Sequence, residues 1–461
     1  MERIILTGFR GTGKTVVGLK LAKRLSVPFI DTDAHVEEMM GLSVSEIFKN
    51  FGEEVFRKAE SEVIAGLPEY SSVVSTGGGA VMDPVNVRNF RAGSTVFMLC
   101  TTLDLIEERI SGSERPSLTV FPLHDEILVL LRERMPAYIS SADYCIDTDT
   151  LSVDEVSAKI INILKNGLAG SEERKSGLDF MRQISLPAPE SETVERLLTE
   201  PDSPPLRLCG IAGNPCFHSK SPGIYNRLFE EYRLNFHYTW FQYEDAGEII
   251  RHARAMDVRG ISVTIPHKQA VIPYLDSIDA HAEAIGAVNT VLHCGGKMYG
   301  SNTDWIGVRR PLEGHEGEVG VVFGAGGAAM GAVYAMKDLG MDVTVLNRNE
   351  DRAAEVAERF GCSSGALNDF GSLSPDVVVN ATPVGMGKNG GSILTRDQLR
   401  ESMTVFDLVY TPPKTPLLIL AGAAGCTCIS GEEMFVHQLC EQFRIFTGIE
   451  VEPGHVREMM K

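Results

Sequence analysis

A segment near the N-terminus has the residue types and spacing of a phosphate-binding loop. It is GFRGTGKT at positions 8–15, which follows a short apolar run and precedes an amphipathic helical pattern. Glycines there let backbone N–H groups converge on phosphate oxygens, the lysine reaches the terminal phosphates, and the last hydroxyl can ligate Mg²⁺. The pattern therefore predicts an ATP site that contains Gly11, Thr12, Gly13, Lys14 and Thr15.

A second glycine-rich turn, GAGGAA at positions 324–329, ends one strand pattern and opens a helix. This arrangement is typical of a dinucleotide-binding fold. The next strand pattern, residues 342–346, is followed by Asn347-Arg348-Asn349, where an NAD enzyme usually has an acidic residue for the ribose hydroxyls. An arginine suits a 2′-phosphate, so NADP is favoured. The predicted NADP site contains Gly324, Ala325, Gly326, Gly327, Ala328, Asn347, Arg348 and Asn349.

Composition narrows the class of protein. The chain has 461 residues, which is too many for one core, and its formal net charge of −19 argues against nucleic-acid binding. No apolar run approaches the ~20 residues of a membrane helix, so we expect a cytoplasmic protein without membrane contact. The nine cysteines form no CxxC pair. We expect a reducing compartment and cysteines that act as small buried hydrophobes.

The order of patterns predicts several domains. Short apolar runs alternate with amphipathic stretches up to residue 165, which indicates βα units and a mainly parallel sheet. Residues 166–204 are rich in Gly, Ser, Glu and Pro, and we expect this linker to let the modules on either side diffuse independently. The alternation resumes in residues 205–310, which we expect to form a substrate-binding domain. After a break at 313–317 it continues in residues 318–433, the predicted nucleotide-binding domain. Residues 434–461 are expected to be a helical segment that completes the C-terminal part.

Five further motifs accompany the phosphate loop in the N-terminal part. They are DTD at 31–33, FRKAE at 56–60, STGGG at 75–79, RP at 115–116 and RMPAY at 134–138. Together they resemble the shikimate kinase family across the first 165 residues. The resemblance implies a P-loop kinase with a three-layer α/β/α fold, which uses ATP and Mg²⁺ to phosphorylate the 3-hydroxyl of shikimate.

The resemblance also implies roles for individual residues. Asp33 would orient the attacking hydroxyl, Asp31 would join Thr15 in the magnesium shell, and Arg115 would join Lys14 in stabilising the transferring phosphoryl group. The segment 109–122 would be a lid, with Arg109 stacked on adenine. The shikimate site of the kinase would consist of Asp33, Arg57, Gly78, Gly79 and Arg134, with the two arginines clamping the carboxylate.

Seven motifs in the C-terminal part resemble the shikimate dehydrogenase family from Leu206 to about Gly448. They are HSKSP at 218–222, GISVTIPHK at 260–268, AIGAVNTV at 284–291, GSNTD at 300–304, NATPVGM at 380–386, DLVY at 407–410 and GEEMFVHQ at 431–438. The resemblance implies a two-lobed enzyme with a Rossmann NADP-binding domain. Lys268 would exchange the proton that ketone reduction requires, and Asp304 would orient it. Leu408 and Gly431 would lie near the nicotinamide. The substrate would contact Ser219, Ser221, Thr264, Lys268, Asn289, Asp304, Tyr410 and Gln438.

Two positions depart from the commonest bacterial pattern of this family. Ser262 replaces an Asn before Val-Thr, and Tyr225 replaces a His after Ser-Pro. These changes leave the Lys268 and Asp304 pair intact but make the preference for shikimate over quinate less secure.

The two motif sets indicate consecutive reactions on one small molecule. The C-terminal part is predicted to reduce 3-dehydroshikimate with NADPH, and the N-terminal part to phosphorylate the product. Two alternatives remain: a kinase fused to an NAD-dependent quinate dehydrogenase, and a catalytically silent sensor of shikimate or quinate. The sequence leaves a homodimer open.

Overall fold

The structure, a computed structural model, describes residues 3–111, 122–166, 207–387 and 390–461. The chain divides into two compact units. The first contains the residues up to Ser262 together with Leu292–Tyr299 and Phe443–Glu450, and the second contains the remainder. The domain limits inferred from the sequence stay predictions, because these units follow packing rather than motif boundaries.

The N-terminal part of the first unit is built on a five-stranded parallel sheet in the order β2-β3-β1-β4-β5. Every residue of the central strand is buried, as expected where helices cover both faces of a parallel sheet. The carboxyl ends of the strands share one edge, so the loops that follow β1, β2 and β3 meet there. The strands are β1 (Arg3–Thr7), β2 (Phe29–Asp31), β3 (Val73–Ser75), β4 (Ser94–Cys100) and β5 (Tyr144–Asp147).

Several helices of this part begin at a residue whose side chain caps them. Asp31 caps α2 through its carboxylate, and Ser43 and Glu46 form a capping box at the start of α3. The helices are α1 (Lys14–Leu25), α2 (Thr32–Met40), α3 (Val44–Ala65), α4 (Pro84–Arg91), α5 (Leu103–Ile110), α6 (Leu123–Ser141) and α7 (Val153–Asn166). The sequence predicts this alternation, and the structure confirms it.

A second sheet has six strands in the order β7-β6-β8-β10-β11-β9, with β6 and β7 parallel. Its strands are β6 (Arg207–Gly213), β7 (Phe236–Gln242), β8 (Gly260–Val263), β9 (Ser277–Ile278), β10 (Thr290–Cys294) and β11 (Lys297–Ser301). The accompanying helices are α8 (Ser221–Glu231), α9 (Ala246–Ala255), α10 (His267–Ala270), α11 (Ala280–Ile285) and α12 (Asp304–Arg309). Leu206, the predicted start of this part, lies outside the described residues.

The third sheet, in the second unit, is parallel with the order β14-β13-β12-β15-β16-β17. Numbered from its own first strand, this is the 3-2-1-4-5-6 order of a Rossmann fold, which confirms the predicted fold class. Its strands are β12 (Val319–Phe323), β13 (Asp342–Leu346), β14 (Ser363–Gly365), β15 (Val377–Asn380), β16 (Thr404–Asp407) and β17 (Thr427–Ile429). Its helices and the helices that follow are α13 (Gly327–Asp338), α14 (Glu350–Phe360), α15 (Pro416–Ala423), α16 (Gly431–Thr447) and α17 (Pro453–Met460).

The N-terminal sheet and strands β6 to β8 pack together within the first unit. Arg259, fully buried on the segment that leads into β8, donates to the carbonyls of Ile139 and Ser140 at 2.7 and 3.0 Å. The guanidinium of Arg207, on β6, lies 4.5 Å from the ring centre of Tyr144. The expectation that the modules diffuse independently is therefore wrong for the described residues, because the composition of a linker says nothing about surfaces that dock.

The expectation for the cysteines is wrong at two positions. Cys145 on β5 and Cys294 on β10 are paired as a disulfide across 149 residues of sequence. The other seven cysteines are free. The pairing could not be read from the sequence because it depends on how two separate sheets approach each other. Over the four described ranges, no helix combines the length and apolar composition needed to cross a membrane.

Candidate active sites

The phosphate loop joins β1 to α1 through glycines in left-handed conformations. Gly8 and Gly11 have φ of 135° and 84°, and a Cβ at Gly8 would lie 2.3 Å from the carbonyl oxygen of Leu99. Gly13 caps α1 at φ 90° without a side-chain hydrogen bond, so the first N–H groups of the helix are directed at the loop. Lys14 Nζ donates to the carbonyls of Gly8 and Phe9 at 2.8 and 2.9 Å. The loop therefore has the geometry of an anion cradle.

Two oxygen groups predicted to hold magnesium lie beside this loop. The hydroxyl of Thr15 donates to Asp31 Oδ2 at 2.9 Å, while Asp31 Oδ1 accepts from the backbone N–H of Asp33 at 3.1 Å. Mg²⁺ prefers oxygen ligands and usually takes a few from protein and the rest from phosphates and water. The pair fits that requirement. Within the described ranges, no cluster of three or more His, Cys, Asp or Glu side chains gathers as a metal site.

A cavity of about 270 Å³ surrounds the loop. Arg109, predicted to contact adenine, lines this cavity and donates from Nη1 to the carbonyl of Gly11 at 3.1 Å. The cavity also contains Thr15, Asp31 and Asp33. Most of the predicted lid, including Arg115, lies outside the described residues, so its role stays a prediction.

A smaller cavity of about 60 Å³ adjoins the same edge of the sheet. Its wall contains all five residues predicted to bind shikimate in the kinase, namely Asp33, Arg57, Gly78, Gly79 and Arg134. Arg10, Asp33 and Gly78 line both this cavity and the one around the phosphate loop. Asp33 thus borders both cavities.

The two predicted clamp arginines are held in different ways. Arg57 contacts Glu60 Oε2 at 2.8 Å and Glu53 Oε1 at 2.9 Å. Glu60 has no exposed surface, and burial raises the pKa of its carboxyl group. Arg134 donates to the carbonyl of Gly78 at 3.3 Å. Glu60 was not among the residues predicted from the sequence, although its spacing of three residues after Arg57 on a helix places the two on one face.

In the second unit, the predicted catalytic lysine and aspartate are in direct contact. Lys268 Nζ lies 2.5 Å from Asp304 Oδ2, and Asn289 Nδ2 donates to Asp304 Oδ1 at 2.8 Å. Asn302 accepts from the backbone N–H of Asp304 at 2.9 Å through its side-chain oxygen, which fixes the start of α12. Both carboxylate oxygens therefore have a donor, and the aspartate holds the lysine in place.

Gln442 on α16 supports this group and was not predicted from the sequence. Its side-chain nitrogen donates to the carbonyl of Asn289 at 3.2 Å and to the hydroxyl of Thr290 at 3.0 Å. Gln442 follows the predicted substrate residue Gln438 by four positions, so the two share one face of the helix. That spacing is the signal that could have found it.

A cavity of about 990 Å³ lies at the carboxyl edge of the Rossmann sheet. Thr264 and Lys268 line it together with the glycine-rich turn. Gly324 has φ 115°, and Gly326 caps α13 without a side-chain hydrogen bond, which leaves the N–H groups of the first turn for an anion. All eight residues predicted at the NADP site from the turn and β13 are present in the lining: Gly324, Ala325, Gly326, Gly327, Ala328, Asn347, Arg348 and Asn349.

A second arginine in this lining was also not predicted from the sequence. Arg352 lies in the first turn of α14, four residues after Arg348, and both border the cavity. Asn349, between them, accepts from the backbone N–H of Arg352 at 3.1 Å and caps the helix. Two guanidinium groups in the lining suit a ribose 2′-phosphate better than an unmodified ribose.

The remaining predicted contacts of the second unit follow the later strands. Gly431 approaches the backbone so closely that a Cβ there would lie 2.6 Å from the carbonyl oxygen of Leu408. Tyr410 stacks on Phe435 with ring centres 5.6 Å apart, and burial raises the pKa of its hydroxyl. Gln438 donates to the carbonyl of Phe435 at 3.1 Å. The structure thus brings these residues together at the start of α16.

Ser219 and Ser221 belong to the first unit. The hydroxyl of Ser219 lies 3.1 Å from that of Ser221, which places both at the start of α8. In the same unit, the two departures from the bacterial pattern meet at one side chain. Tyr238 donates to the hydroxyl of Ser262 at 2.7 Å, and Tyr225 stacks on Tyr238 with ring centres 4.1 Å apart.

Comparison with known proteins assigns the two parts. Residues 10–165 match the model of the shikimate kinase family, and residues 211–291 match the shikimate dehydrogenase substrate-binding domain. Shikimate dehydrogenase (NADP(+)) of Oleidesulfovibrio alaskensis is 42% identical over 265 residues, which cover 56% of this chain and 95% of that protein. The chain belongs to the shikimate dehydrogenase family. Its N-terminal part is a shikimate kinase domain.

Solved structures agree with the family assignment. Shikimate 5-dehydrogenase of Thermus thermophilus, in complex with NADP(H) and shikimate, is 32% identical with a TM-score of 0.52, covering 55% of this chain and 98% of that one. Quinate dehydrogenase from Corynebacterium glutamicum, in complex with NAD, is 29% identical with a TM-score of 0.53 and the same coverage. The two family models, one for each part, confirm the predicted pairing of a kinase domain with a dehydrogenase domain.

Proposed function

We propose that this chain reduces 3-dehydroshikimate to shikimate with NADPH and phosphorylates the 3-hydroxyl of shikimate with ATP. One observation carries the reductase half. Lys268, which contacts Asp304, lines a cavity that Arg348 and Arg352 also line, so a proton-exchanging group and a site for an anionic dinucleotide belong to one unit. The kinase half rests on Asp33, which borders both the phosphate-loop cavity and the arginine-lined cavity.

In the reductase, the residues of the chain position the substrate and move its proton. NADPH, when bound, supplies the hydride. Lys268 donates the proton to the carbonyl oxygen as it becomes a hydroxyl, and Asp304 keeps the ammonium group oriented. Asn289 donates a hydrogen bond to Asp304, and its carbonyl accepts one from Gln442. It thereby keeps Asp304 in position beside Lys268. Ser219, Ser221, Thr264, Tyr410 and Gln438 are proposed to bind the carboxylate and the hydroxyls.

The preference for NADP over NAD rests on Arg348 and Arg352. Both line the cavity, and the position after β13 carries no carboxylate that would bind a free ribose 2′-hydroxyl. A 2′-phosphate would accept charge-assisted hydrogen bonds from either guanidinium group. The same residues argue against the NAD-dependent quinate dehydrogenase alternative.

In the kinase, catalysis is proposed to be positioning and charge stabilisation. Arg57 and Arg134 bind the shikimate carboxylate, which sets the 3-hydroxyl beside Asp33. Lys14, Arg109 and the N–H groups of the loop bind the phosphates and adenine of ATP, and Arg115 neutralises the transferring group. Magnesium would be held by Thr15 and Asp31, where it supplies charge neutralisation between the phosphates.

The proposal is tested by assays of the purified full chain that combine each nicotinamide cofactor, NADP or NAD, with each substrate, shikimate or quinate. Oxidation of shikimate and of quinate is followed with NADP and with NAD, and release of ADP is followed with shikimate and with quinate as acceptor. The expected result is a preference for shikimate with NADP and ADP release with shikimate only. A preference for quinate with NAD would replace the reductase assignment, and binding without turnover in every assay would favour a metabolite sensor.

A further inference from the structure

The cysteine pair joins the two enzyme modules at a defined place. Cys145 lies on β5 of the kinase sheet and Cys294 ends β10 of the dehydrogenase sheet, and both belong to the first unit. Their Cα atoms are 6.1 Å apart, a separation that suits a disulfide. A bond between them crosses from one catalytic module to the other.

The approach of the two strands depends on a glycine. Gly295 follows Cys294 with φ 60°, and a Cβ at that position would lie 3.1 Å from the Cβ of Cys145. A larger residue at the turn after β10 would push against β5. The turn is therefore shaped for close contact with the cysteine of the other module.

Other contacts hold the modules at the same place without the sulfur bond. Arg207 of β6 donates to the carbonyl of Asp143, and its guanidinium lies over the ring of Tyr144, the residue before Cys145. Arg259 donates to the carbonyls of His293 and Ile139 at 3.1 and 2.7 Å, so it links the residue before Cys294 to helix α6. Reduction of the bond would leave the two thiols facing each other, since this docking does not need it.

Solvent reaches the pair through a cavity of about 520 Å³. Cys145 and Cys294 both line it, together with the cationic Lys159, Arg254 and Lys297 and the acidic Asp147 and Asp257. A small disulfide in solution can therefore reach either sulfur through this cavity. A third thiol, Cys100, lines the same cavity, but burial raises its pKa to about 11. The thiol of Cys100 is therefore protonated at neutral pH and does not attack a disulfide. Cys100 serves as the matched control.

We propose that Cys145 and Cys294 form a reversible thiol–disulfide tether between the kinase and the dehydrogenase modules. The oxidant is a low-molecular-weight disulfide. One cysteine thiolate attacks it, releases one thiol and forms a mixed disulfide. The second cysteine thiolate then attacks the protein sulfur and releases the other thiol. Two cysteine thiols lose two protons and two electrons in total, and one disulfide is reduced to two thiols.

The tether is tested on the full chain equilibrated with oxidised and reduced glutathione at a series of ratios. Free thiols are trapped by acid and alkylation, and peptides are mapped by mass without reduction. The expected result is a cross-linked peptide containing Cys145 and Cys294 that grows with the oxidised fraction and disappears with dithiothreitol. Full alkylation of Cys145 at every ratio, or cross-links that instead involve Cys100, would overturn the proposal.

Thermal unfolding gives an independent readout. The bond closes a long loop of the unfolded chain, so the oxidised protein is expected to melt on the order of 5 °C above the reduced one. Cys145→Ser and Cys294→Ser should each abolish that difference, while Cys100→Ser should keep it. Equal melting temperatures of the oxidised and reduced wild-type protein would contradict a tether. Neither readout requires turnover, so failure here is separate from failure of the proposed function.

Discussion

Lys268 Nζ lies 2.5 Å from Asp304 Oδ2, and the other carboxylate oxygen of Asp304 accepts from Asn289 at 2.8 Å. The aspartate therefore contacts two side chains, and the lysine is proposed to be the member of the group that exchanges a proton with the substrate. Lys268 retains some exposure, 19% of its side chain, whereas Asp304 has 6%. The proposed division of roles agrees with this difference in access.

Replacing the lysine tests that division. We expect Lys268→Ala to slow the turnover of the reductase reaction by about 10²- to 10⁴-fold, because general acid catalysis is lost. Kinase activity should stay within about twofold, since the lysine belongs to the second unit and the kinase residues to the first. NADPH oxidation and ADP release, measured on one preparation, check both statements.

The matched control is Lys297→Ala, which removes an exposed lysine from β11. Its reductase and kinase rates should equal those of the wild type. Loss of both activities in Lys268→Ala would contradict separate sites, and a surviving reductase rate would remove Lys268 from the mechanism.

The reciprocal variant is Asp33→Asn. The change keeps the size of the side chain but removes the acceptor that orients the 3-hydroxyl, so kinase turnover should fall by about 10²-fold or more. Reductase activity should be unaffected. Asp104→Asn, at an exposed position in the first turn of α5, is the control. An unchanged kinase rate in Asp33→Asn would place the phosphoryl acceptor elsewhere.

Cofactor choice tests the two arginines of the large cavity. In Arg348→Ala with Arg352→Ala, the KM for NADPH should rise roughly 10- to 100-fold because the charge-assisted bonds to the 2′-phosphate are lost. The KM for NADH, which lacks this phosphate, should change little and is the internal control. Equal effects on both cofactors would mean that the arginines support the fold or the pyrophosphate instead.

Metal removal separates the two reactions. Excess EDTA should abolish ADP release and leave NADPH oxidation intact, because only phosphoryl transfer needs a cation between phosphates. Thr15→Ala should raise the Mg²⁺ concentration that gives half-maximal kinase rate by several-fold, since it removes one oxygen ligand beside Asp31. Inhibition of both reactions by EDTA would indicate a structural metal.

Arg259 tests the packing of the two modules. Burial, together with nearby Arg207 and Arg91, lowers the pKa of this guanidinium to about 9. Its partners are nevertheless several carbonyl groups, and Arg259→Met leaves them buried without a donor. We expect a loss of about 2–4 kcal/mol in the free energy of unfolding of the first unit.

Denaturant unfolding of full-length Arg259→Met, compared with Arg251→Met at an exposed position of α9, checks this prediction. The control should differ from the wild type by less than about 0.5 kcal/mol. A stable Arg259→Met protein would mean that the interface tolerates the loss, through water or rearrangement.

Much of the chemistry could be predicted from the sequence because its residues are local. The phosphate loop needs glycines at fixed offsets, and a strand followed by a glycine-rich turn predicts a Rossmann start, as the bounds of β12 and β13 confirm. Motifs identify Lys268 and Asp304, although only the structure shows their contact.

Other features depend on tertiary packing and have no local signal. The pairing of Cys145 with Cys294, the buried position of Arg259 and the docking of the kinase sheet onto β6 to β8 arise where segments far apart in sequence meet. Gln442 and Arg352 could have been predicted in part. Each lies four residues from a predicted site residue, and residues four apart share one face of a helix.

The central claim is that one chain carries out both reactions, and a sequential assay of the intact protein tests it directly. 3-Dehydroshikimate and NADPH are supplied first, and ATP with Mg²⁺ is added after NADPH loss has stopped. The account predicts NADPH consumption, then ADP release in an amount equal to the shikimate formed. NADPH loss without ADP would contradict an active kinase, and no change in either signal would contradict both activities.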